Sequence, residues 1–501
     1  MDNDFILSIV KKLATDTAAY GVSSILARLI NFLFGFLIIN YISQAEFGTY
    51  TNFYAYAGFI LVVLTHGMET AYFRFANKTE SQQNAFSTSF YSIFIAVVLF
   101  VLISYFFQQP IADYVKEPTQ YVQYFIWMMA FDTLSAIPFA SLRKQGRPLM
   151  FAALKVINII LFILFNAFFF IILPMLKSKG IWPGWNSTIY PNVAYIFIAN
   201  ILASIITFLL LLKQLNQLHF SIDTKLYKEM LRYAMPIMLV GLAGMINEVL
   251  DRIIMTRILP YDDITNKEQL GIYGFNYKFA MLVTMFLQAY RYAAEPIFFK
   301  HAEKSDSKQI LADTMKYYTI CVCVLFLLIV LFLPLIQFLF QLYSPSSKAY
   351  FVGADIIPIL LMANICLGIY FNISTWYKIT DKTYIGAIIA IVGAVITIVM
   401  NLILVPKYGY FGAAWATLIC YVCMVVIGFI TEQKYYAIQY EYKRILGYLF
   451  FALTLFIFFR YIVFPMQLSL VVNTLLAFIA ILLYIGTAYF LERKLKGVIK
   501  N

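Results

Sequence analysis

Polar side chains that could bind a substrate interrupt an apolar stretch between Tyr233 and Lys300, where one run holds Asn247, Glu248, Asp251 and Arg252. Charged groups at membrane depth are costly, so they usually face a protein interior or a water-filled cavity. An arginine there can hold phosphate oxygens through two parallel hydrogen bonds. These residues predict a polar binding surface inside a membrane protein.

The four residues are spaced so that one helix is polar over a wide arc. Glu248 precedes Arg252 by four positions, an order that favours an internal ion pair, and Asn247 and Asp251 form a second i,i+4 pair. We interpret the arc as part of a translocation path in which Asn247 and Arg252 bind substrate. A carboxylate with a perturbed pKa can bind a proton or a sodium ion, so Glu248 and Asp251 are candidates for ion coupling. Satisfied internal ion pairs are the structural alternative.

Other predicted spans carry further candidates for substrate binding. Arg28 lies near the middle of the first span, where an arginine costs at least about 2.5–3.5 kcal/mol. We expect it to bind an anionic head group; the alternative is a salt bridge to Asp251 or Asp132. Asp132 lies deep in the fourth span, and Asn276 and Lys278 lie in the outer half of the eighth. All three are predicted to contact substrate.

Two acid–base pairs flank the predicted inner ends of spans. Glu69 and Arg74 follow the second span, and Arg291 and Glu295 end the eighth. Either pair could form a cytoplasmic gate or an ordinary packing interface, and we treat all four residues as gate candidates.

The composition identifies the kind of protein that must position these residues. Of 501 residues, 62% are hydrophobic and 12% are charged, whereas roughly 25% charged is typical of soluble domains. Apolar runs of about 20 residues recur along the chain, which is typical of a polytopic, all-α membrane protein. The net charge of +12 comes from residues spread over many short loops. A positive-inside bias explains these residues better than nucleic-acid binding does.

The apolar runs predict about fourteen transmembrane helices, at 14–41, 49–67, 86–108, 119–142, 149–173, 192–213, 234–259, 270–292, 314–341, 355–377, 384–405, 411–431, 444–464 and 469–491. With the N-terminus inside, few basic residues fall on the outer segments: Lys116, Lys177, Lys179, Arg257, Lys267, Lys348 and Lys407. This bias predicts that both termini are cytoplasmic.

A short internal repeat relates the two halves of the chain. Phe47-Gly48-Thr49-Tyr50 opens the second span, and Leu270-Gly271-Ile272-Tyr273 opens the eighth. The preceding helices carry ionisable residues at a matching offset, Arg28 in one and Asp251 in the other. Six-helix units repeated in series would be related by an axis along the membrane normal.

Covalent chemistry finds little support in the sequence. There is no phosphate-cradling glycine loop and no cluster of metal ligands, and His66, His219 and His301 are isolated. The longest predicted outer loop, 174–191, has no carboxylate, which argues against a membrane glycosyltransferase or polymerase. We expect a transporter that is not an enzyme and needs no cofactor or metal.

Three sets of residues carry a family resemblance along the whole chain: Gly21…Arg28…Phe47-Gly48-x-Tyr50, Pro236…Asp251-Arg252…Gly271-Ile272-Tyr273, and Gly409-x-x-Gly412-Ala413-Ala414. In these residues and in its predicted spans the sequence resembles the polysaccharide-biosynthesis flippases of the multidrug/oligosaccharidyl-lipid/polysaccharide exporter superfamily. The resemblance implies two six-helix lobes around a central cavity, two extra helices and alternating access. The corresponding segments are an interfacial helix at 1–13, an N-lobe at 14–213, a cytoplasmic connection at 214–233, a C-lobe at 234–431, and two further helices with a cytoplasmic tail at 432–501.

The resemblance also implies a function in the bacterial cytoplasmic (inner) membrane. Members flip undecaprenyl-diphosphate-linked oligosaccharides for O-antigen (lipopolysaccharide), capsule or exopolysaccharide assembly. Arg28, Arg252 and Lys278 would hold the diphosphate, with Arg28 facing Asp251 and Arg252 across one cavity. The expected partners are this lipid-linked substrate, membrane lipids, a coupling Na⁺ or H⁺ and, for a protein expected to be monomeric, an associated polysaccharide polymerase. A cation-coupled drug antiporter on the same scaffold and, less well supported, a membrane glycosyltransferase or polymerase are the alternatives.

Overall fold

The fold is known from a computed structural model that describes residues 26, 29–30, 32–76, 82–180, 192–219, 223–301 and 307–498. The described residues are helical, apart from short turns and connections, and contain no strand. The predicted all-α fold class is therefore confirmed. The chain divides into two compact units, Met1–Gly271 and Ile272–Asn501. The predicted lobe boundaries stay a prediction.

The first unit consists of a series of long helices with short helical extensions. In chain order its helices are α1 (Gln44–Thr65), α2 (Met68–Phe75), α3 (Gln82–Phe106), α4 (Gln108–Val115), α5 (Thr119–Leu134), α6 (Ala136–Lys144), α7 (Pro148–Ala167), α8 (Leu173–Ser178), α9 (Asn192–Leu211) and α10 (Thr224–Ile258). Helix α1 packs against α5, α9 and α10, and α9 also packs against α5 and α7. These contacts bring the polar positions of α1, α5, α9 and α10 into one region.

The second unit begins within a helix that starts in the first. Its helices are α11 (Asp263–His301), α12 (Ser307–Leu331), α13 (Leu333–Tyr343), α14 (Ser347–Tyr350), α15 (Ile357–Ile373), α16 (Thr375–Ile379), α17 (Thr383–Tyr408), α18 (Tyr410–Tyr436), α19 (Tyr442–Phe458) and α20 (Leu470–Val498). Helix α18 packs along both α15 and α17, while α12 packs against α15, α19 and α20. Helix α12 thus joins the last two helices to the rest of this unit.

Twelve helical segments of the described residues are long and apolar enough to cross a membrane. They follow the order of the predicted spans, with two spans not among them. The span at 14–41 lies largely outside the described residues, and the span at 234–259 falls within the 35-residue helix α10. The predicted polytopic membrane protein with about fourteen helices is confirmed.

Polar caps fix where several of these helices begin. The Ser43 hydroxyl accepts the Glu46 N–H at 3.2 Å, and the Glu46 carboxylate accepts the Ser43 N–H at 2.8 Å, a capping box that starts α1. Asp223 accepts two N–H groups at the start of α10. Asp262 does the same for α11, and the hydroxyl of Thr265 hydrogen-bonded to its carboxylate lowers the pKa of Asp262.

The predicted span at 49–67 ends in a sharp break between α1 and α2. His66 and Gly67 both have positive φ values, 33° and 73°. A Cβ on Gly67 would lie 2.6 Å from the carbonyl oxygen of Ala234 in α10, so both the backbone angle and the close approach require glycine. The His66 ring lies 2.7 Å from the Ser92 hydroxyl of α3, which ties the break to a neighbouring helix.

Candidate functional site

The predicted polar arc of α10 divides into two faces. Asn247 and Asp251 are buried, at 8% and 3% exposure, whereas Arg252 is half-buried and Glu248 is exposed. Four-residue spacing places Asn247 and Asp251 on one side of the helix, which the surrounding protein covers. Arg28, the proposed partner across a cavity, lies outside the described residues.

A chain of hydrogen bonds crosses the interior of the first unit from α5 to α1. The Ser204 hydroxyl donates to the Asp132 carboxylate at 2.5 Å and lies 3.2 Å from the Asn200 side-chain oxygen. The Asn200 amide in turn donates to the Tyr54 hydroxyl at 2.5 Å. Three helices, α5, α9 and α1, therefore contribute to one continuous polar path. We call Asp132, Ser204, Asn200 and Tyr54 the polar chain.

Cationic side chains lie near both ends of the polar chain. At one end Lys155 of α7 acts electrostatically on Asp132. At the other end the Tyr54 ring lies 4.6 Å from the Tyr50 ring, and Arg252 of α10 acts electrostatically on Tyr50. The structure thus brings two predicted substrate-binding residues, Asp132 and Arg252, into one polar region.

The polar chain offers both donors and acceptors in an apolar protein. Asp132, Asn200 and Tyr54 are half-buried, and Ser204 is buried at 2% exposure. Half-buried amide, hydroxyl and carboxylate groups can exchange hydrogen bonds with sugar hydroxyls, and a guanidinium can hold phosphate oxygens. Asn200 and Ser204 were missed in the sequence, although their i,i+4 spacing within an apolar span was a signal for them.

Two further predicted residues belong to the second unit. Asn276 is fully buried, and its amide donates to the carbonyl oxygens of Ile272 and Tyr350, each at 2.8 Å. In this conformation its amide group holds α11 to the end of α14. Lys278 is buried at 8% exposure. A substrate-binding role for either residue stays a prediction.

The four gate candidates have different surroundings. Glu69 forms an ion pair with Arg143 at 3.0 Å, while Arg74 lies over the Tyr233 ring at 4.1 Å. These contacts join α2 to α6 and to α10. Arg291 lies over the Phe371 ring at 4.5 Å, and the side chain of Glu295 lies outside the described part. The gate roles of these residues stay predictions.

A cluster of ion pairs joins the first residues of α11 to the α4–α5 turn and to α1. Lys116 pairs with Asp263 at 2.5 Å, and Lys267 pairs with Glu117 at 2.9 Å. The Thr49 hydroxyl also donates to Glu117, at 2.6 Å. We call these five residues the clasp. Their contacts hold the starts of α1 and α11 together.

The two glycines of the predicted repeat meet beside the clasp. A Cβ on Gly48 would lie 1.9 Å from the Lys267 carbonyl oxygen, and a Cβ on Gly271 would lie 2.0 Å from the Gln44 carbonyl oxygen. Each glycine therefore faces the residue four positions before the other. This reciprocal contact is the pattern of two elements related by a local two-fold axis. Only glycine permits such a close helix crossing.

The described residues contain no group of three or more histidines, cysteines or carboxylates placed to hold a metal ion. The five cysteines are free thiols. The two polar groups defined above among the described residues, the polar chain and the clasp, consist of side chains suited to hydrogen bonding and ion pairing.

Two protein-family models match parts of this chain. The model of the family described as "Polysaccharide biosynthesis protein" matches residues 13–302, and that of the family described as "MatE" matches residues 263–403. No curated protein sequence matches significantly. Several solved structures share the fold at low sequence identity.

A structure of the lipid II flippase MurJ in an inward closed conformation matches with a TM-score of 0.74 and 16% identity, over 94% of this chain and 98% of that one. An inward-facing multidrug resistance MATE family transporter of the MOP superfamily matches with a TM-score of 0.64 and 15% identity, over 81% of this chain and 94% of that one. A mutant of the Vibrio cholerae MATE transporter VcmN matches with a TM-score of 0.58 and 14% identity, over 85% of this chain and 97% of that one. The first family match covers more than half of the chain. The protein therefore belongs to the family described as "Polysaccharide biosynthesis protein".

Proposed function

We propose that the protein flips polyprenyl-diphosphate-linked oligosaccharides, of the undecaprenyl type, across the bacterial cytoplasmic membrane by alternating access. The product would serve O-antigen, capsule or exopolysaccharide assembly. The observation that carries this proposal is the polar chain, which presents amide, hydroxyl and carboxylate groups within an otherwise apolar unit and leads towards Arg252. A lipid-linked sugar needs both features, because its sugar hydroxyls seek hydrogen bonds and its diphosphate seeks a cation.

The clasp supports the alternating-access part of the proposal. In the predicted orientation it lies at the outer end of α1 and α11, where it would keep the outer side closed. Its ion pair between Lys116 and Asp263 is solvent-exposed, with side-chain exposures of 45% and 52%. Exposed pairs of this kind are worth only about 0–1 kcal/mol. A contact of this strength can be broken and remade in a transport cycle.

A second candidate function is a cation-coupled drug antiporter. The match of the MatE family model to residues 263–403 and the likeness to MATE transporters favour it. A drug antiporter needs carboxylates for its cationic substrates more than it needs arginine. Substituting Asp132 and Arg252 separately therefore distinguishes the two functions.

The test uses the purified full-length protein in liposomes with fluorescent polyprenyl-diphosphate sugars on one leaflet. We expect Arg252→Gln and Asp132→Asn each to lower the initial flipping rate by about tenfold, since a hydrogen bond to a charged group contributes roughly 1.5–3 kcal/mol. Asp355 and Arg460, an exposed ion pair at 2.8 Å, supply matched controls. Asp355→Asn and Arg460→Gln should leave the rate unchanged.

Three outcomes are informative. A lower flipping rate in the two test variants, together with an unchanged rate in the two control variants, supports the proposal. Native protein that exchanges organic cations but flips no lipid-linked sugar indicates the antiporter instead. Full activity of both test variants would remove the polar chain and Arg252 from the substrate path, even if flipping itself were observed.

A further inference from the structure

A buried carboxyl group in the second unit is not explained by the proposed substrate path. Glu432, near the end of α18, has 0% exposure. Its Oε1 accepts a hydrogen bond from the Tyr440 hydroxyl at 2.7 Å. Its Oε2 is buried and has no hydrogen-bond partner among the residues that the structure describes. Among the described residues no lysine or arginine forms an ion pair with this carboxyl.

The partner of Glu432 lies on the short α18–α19 connector, residues 437–441. Ile438 and Tyr440 of the connector are buried, at 2% and 7% exposure, and the Gln433 amide donates to the Ile438 carbonyl oxygen at 2.8 Å. Burial first, and then Glu432, raise the pKa of Tyr440 well above its usual value. Tyr440 is therefore a neutral donor, and its hydroxyl proton points to Glu432.

Among the described residues, no group around Glu432 offers a countercharge in hydrogen-bond contact with it. Tyr290 acts electrostatically on Tyr440, and its own hydroxyl donates to Asn372. The Lys308 ammonium lies over the Tyr436 ring at 4.8 Å. Titratable and charged groups on the surrounding elements include Tyr440 and Glu441 on the connector, Tyr290 and Arg291 on α11, Lys308 on α12, Tyr370 on α15, Tyr377 and Lys378 on α16, Lys382 before α17 and Lys434 on α18. An ionised carboxylate at this place would be desolvated and only half satisfied.

We propose that Glu432 is a proton-binding site and that it carries its proton on Oε2 in this conformation. Its neutral carboxyl group still accepts the Tyr440 hydrogen bond at Oε1. Proton release to water leaves a carboxylate, which needs hydration or further donors. Because the connector covers the group, release requires the connector to move. A metal ion fits less well, since one carboxylate and one phenol supply too few oxygen ligands.

The connector can transmit such a movement to the last two helices. Glu441, next to Tyr440, accepts from Lys316 of α12 at 3.3 Å and pairs with Arg444 of α19. Lys316 also pairs with Glu492 of α20 at 3.1 Å. A change at Tyr440 therefore reaches an ion-pair network that joins α12, α19 and α20. If the protein is a flippase, as proposed above, this site would couple proton binding to its cycle.

Infrared difference spectroscopy of the full-length protein in lipid tests this proposal, because it detects whether a carboxyl group is protonated. A protonated carboxyl has a carbonyl stretching band that a carboxylate lacks. We expect a pH-titrating band of this type in the native protein, its loss in Glu432→Gln, and a shifted frequency in Tyr440→Phe. Glu492→Gln, a control on the nearby ion-pair network, should retain the band.

The variants also separate this site from the proposed function. An unchanged band in both Glu432→Gln and Tyr440→Phe would overturn the proton site, whatever the protein transports. Flipping by Glu432→Gln that no longer responds to an imposed pH gradient would support coupling. Flipping that keeps its full response would overturn coupling while leaving the spectroscopic result standing. Tyr440→Phe retains the carboxyl, so it tests the site even if Glu432→Gln folds poorly.

Discussion

Glu117 is the residue of the clasp with the strongest conflict between burial and charge. Its side chain is only 4% exposed, yet it pairs with Lys267 and accepts from Thr49. Burial is the larger effect and raises the pKa of Glu117, while the two partners oppose that rise. The group is therefore held in place by polar contacts at a site that disfavours its charge.

This balance predicts a pH dependence of stability. A carboxyl whose pKa is higher in the folded state contributes stability that is present below its unfolded pKa, near 4.5, and is lost as the pH rises through the folded value. Glu117→Gln cannot ionise. The melting temperature of the native protein minus that of Glu117→Gln should therefore fall as the pH rises above about 4.5 and then level off.

Thermal unfolding in detergent over a pH series measures this difference. Asp355→Asn, which removes an exposed carboxylate, is the control and should show a much smaller trend. If the melting temperature of the native protein minus that of Glu117→Gln rises with pH instead, the ion pair with Lys267 has a larger effect on the pKa of Glu117 than burial has.

At the scale of elements, the crossing of α1 and α11 depends on two glycines. The chain approaches so closely at Gly48 and Gly271 that a methyl group on either would overlap a backbone oxygen of the other helix. A backbone oxygen cannot rotate away as a side chain can. The two helices must therefore separate if either glycine is replaced.

Gly271→Ala should thus destabilise the closed crossing by about 1–3 kcal/mol, the usual cost of overpacking. Accessibility of a single cysteine at Thr49, a clasp residue with 4% exposure, should rise in thiol labelling because the clasp opens. Gly447→Ala is the control, since a Cβ there meets nothing within 4 Å. Labelling at Thr49→Cys that is as slow in Gly271→Ala as in the native background would contradict a crossing limited by these glycines.

At the scale of the whole molecule, the clasp predicts that transport requires α1 and α11 to separate at this end. Lys116→Cys and Asp263→Cys, combined in a background without the five native cysteines, can be joined by a short bifunctional methanethiosulfonate. We expect the linked protein to lose at least about 90% of flipping, an effect of roughly 1.4 kcal/mol or more on the rate. Reduction of the linker should restore it.

Each single-cysteine variant, treated in the same way, controls for modification alone. Linked protein that flips lipid at the native rate would show that this end does not open during transport. The same preparation also reports on Glu432, because a cycle blocked at the clasp should leave its infrared band in place.

The sequence by itself determined the class of protein. Apolar runs long enough to cross a membrane fixed the all-α fold and the order of its spans, because backbone groups in lipid must be satisfied within each helix. The capping residues Ser43 and Glu46 determined a helix start locally. The cost of charge in an apolar run made Asp132 and Arg252 candidates for substrate binding, because an ionisable residue within such a run is visible in the sequence alone.

Only the tertiary structure decided which polar residues meet. It joined Asp132 to Tyr54 through Ser204 and Asn200, and it placed Gly48 and Gly271 in one crossing. These partners come from helices far apart in the chain, and a single sequence carries no record of which helices pack together. Spacing within one helix limits the candidates, whereas a hydrogen bond forms between atoms that packing has brought within about 3 Å.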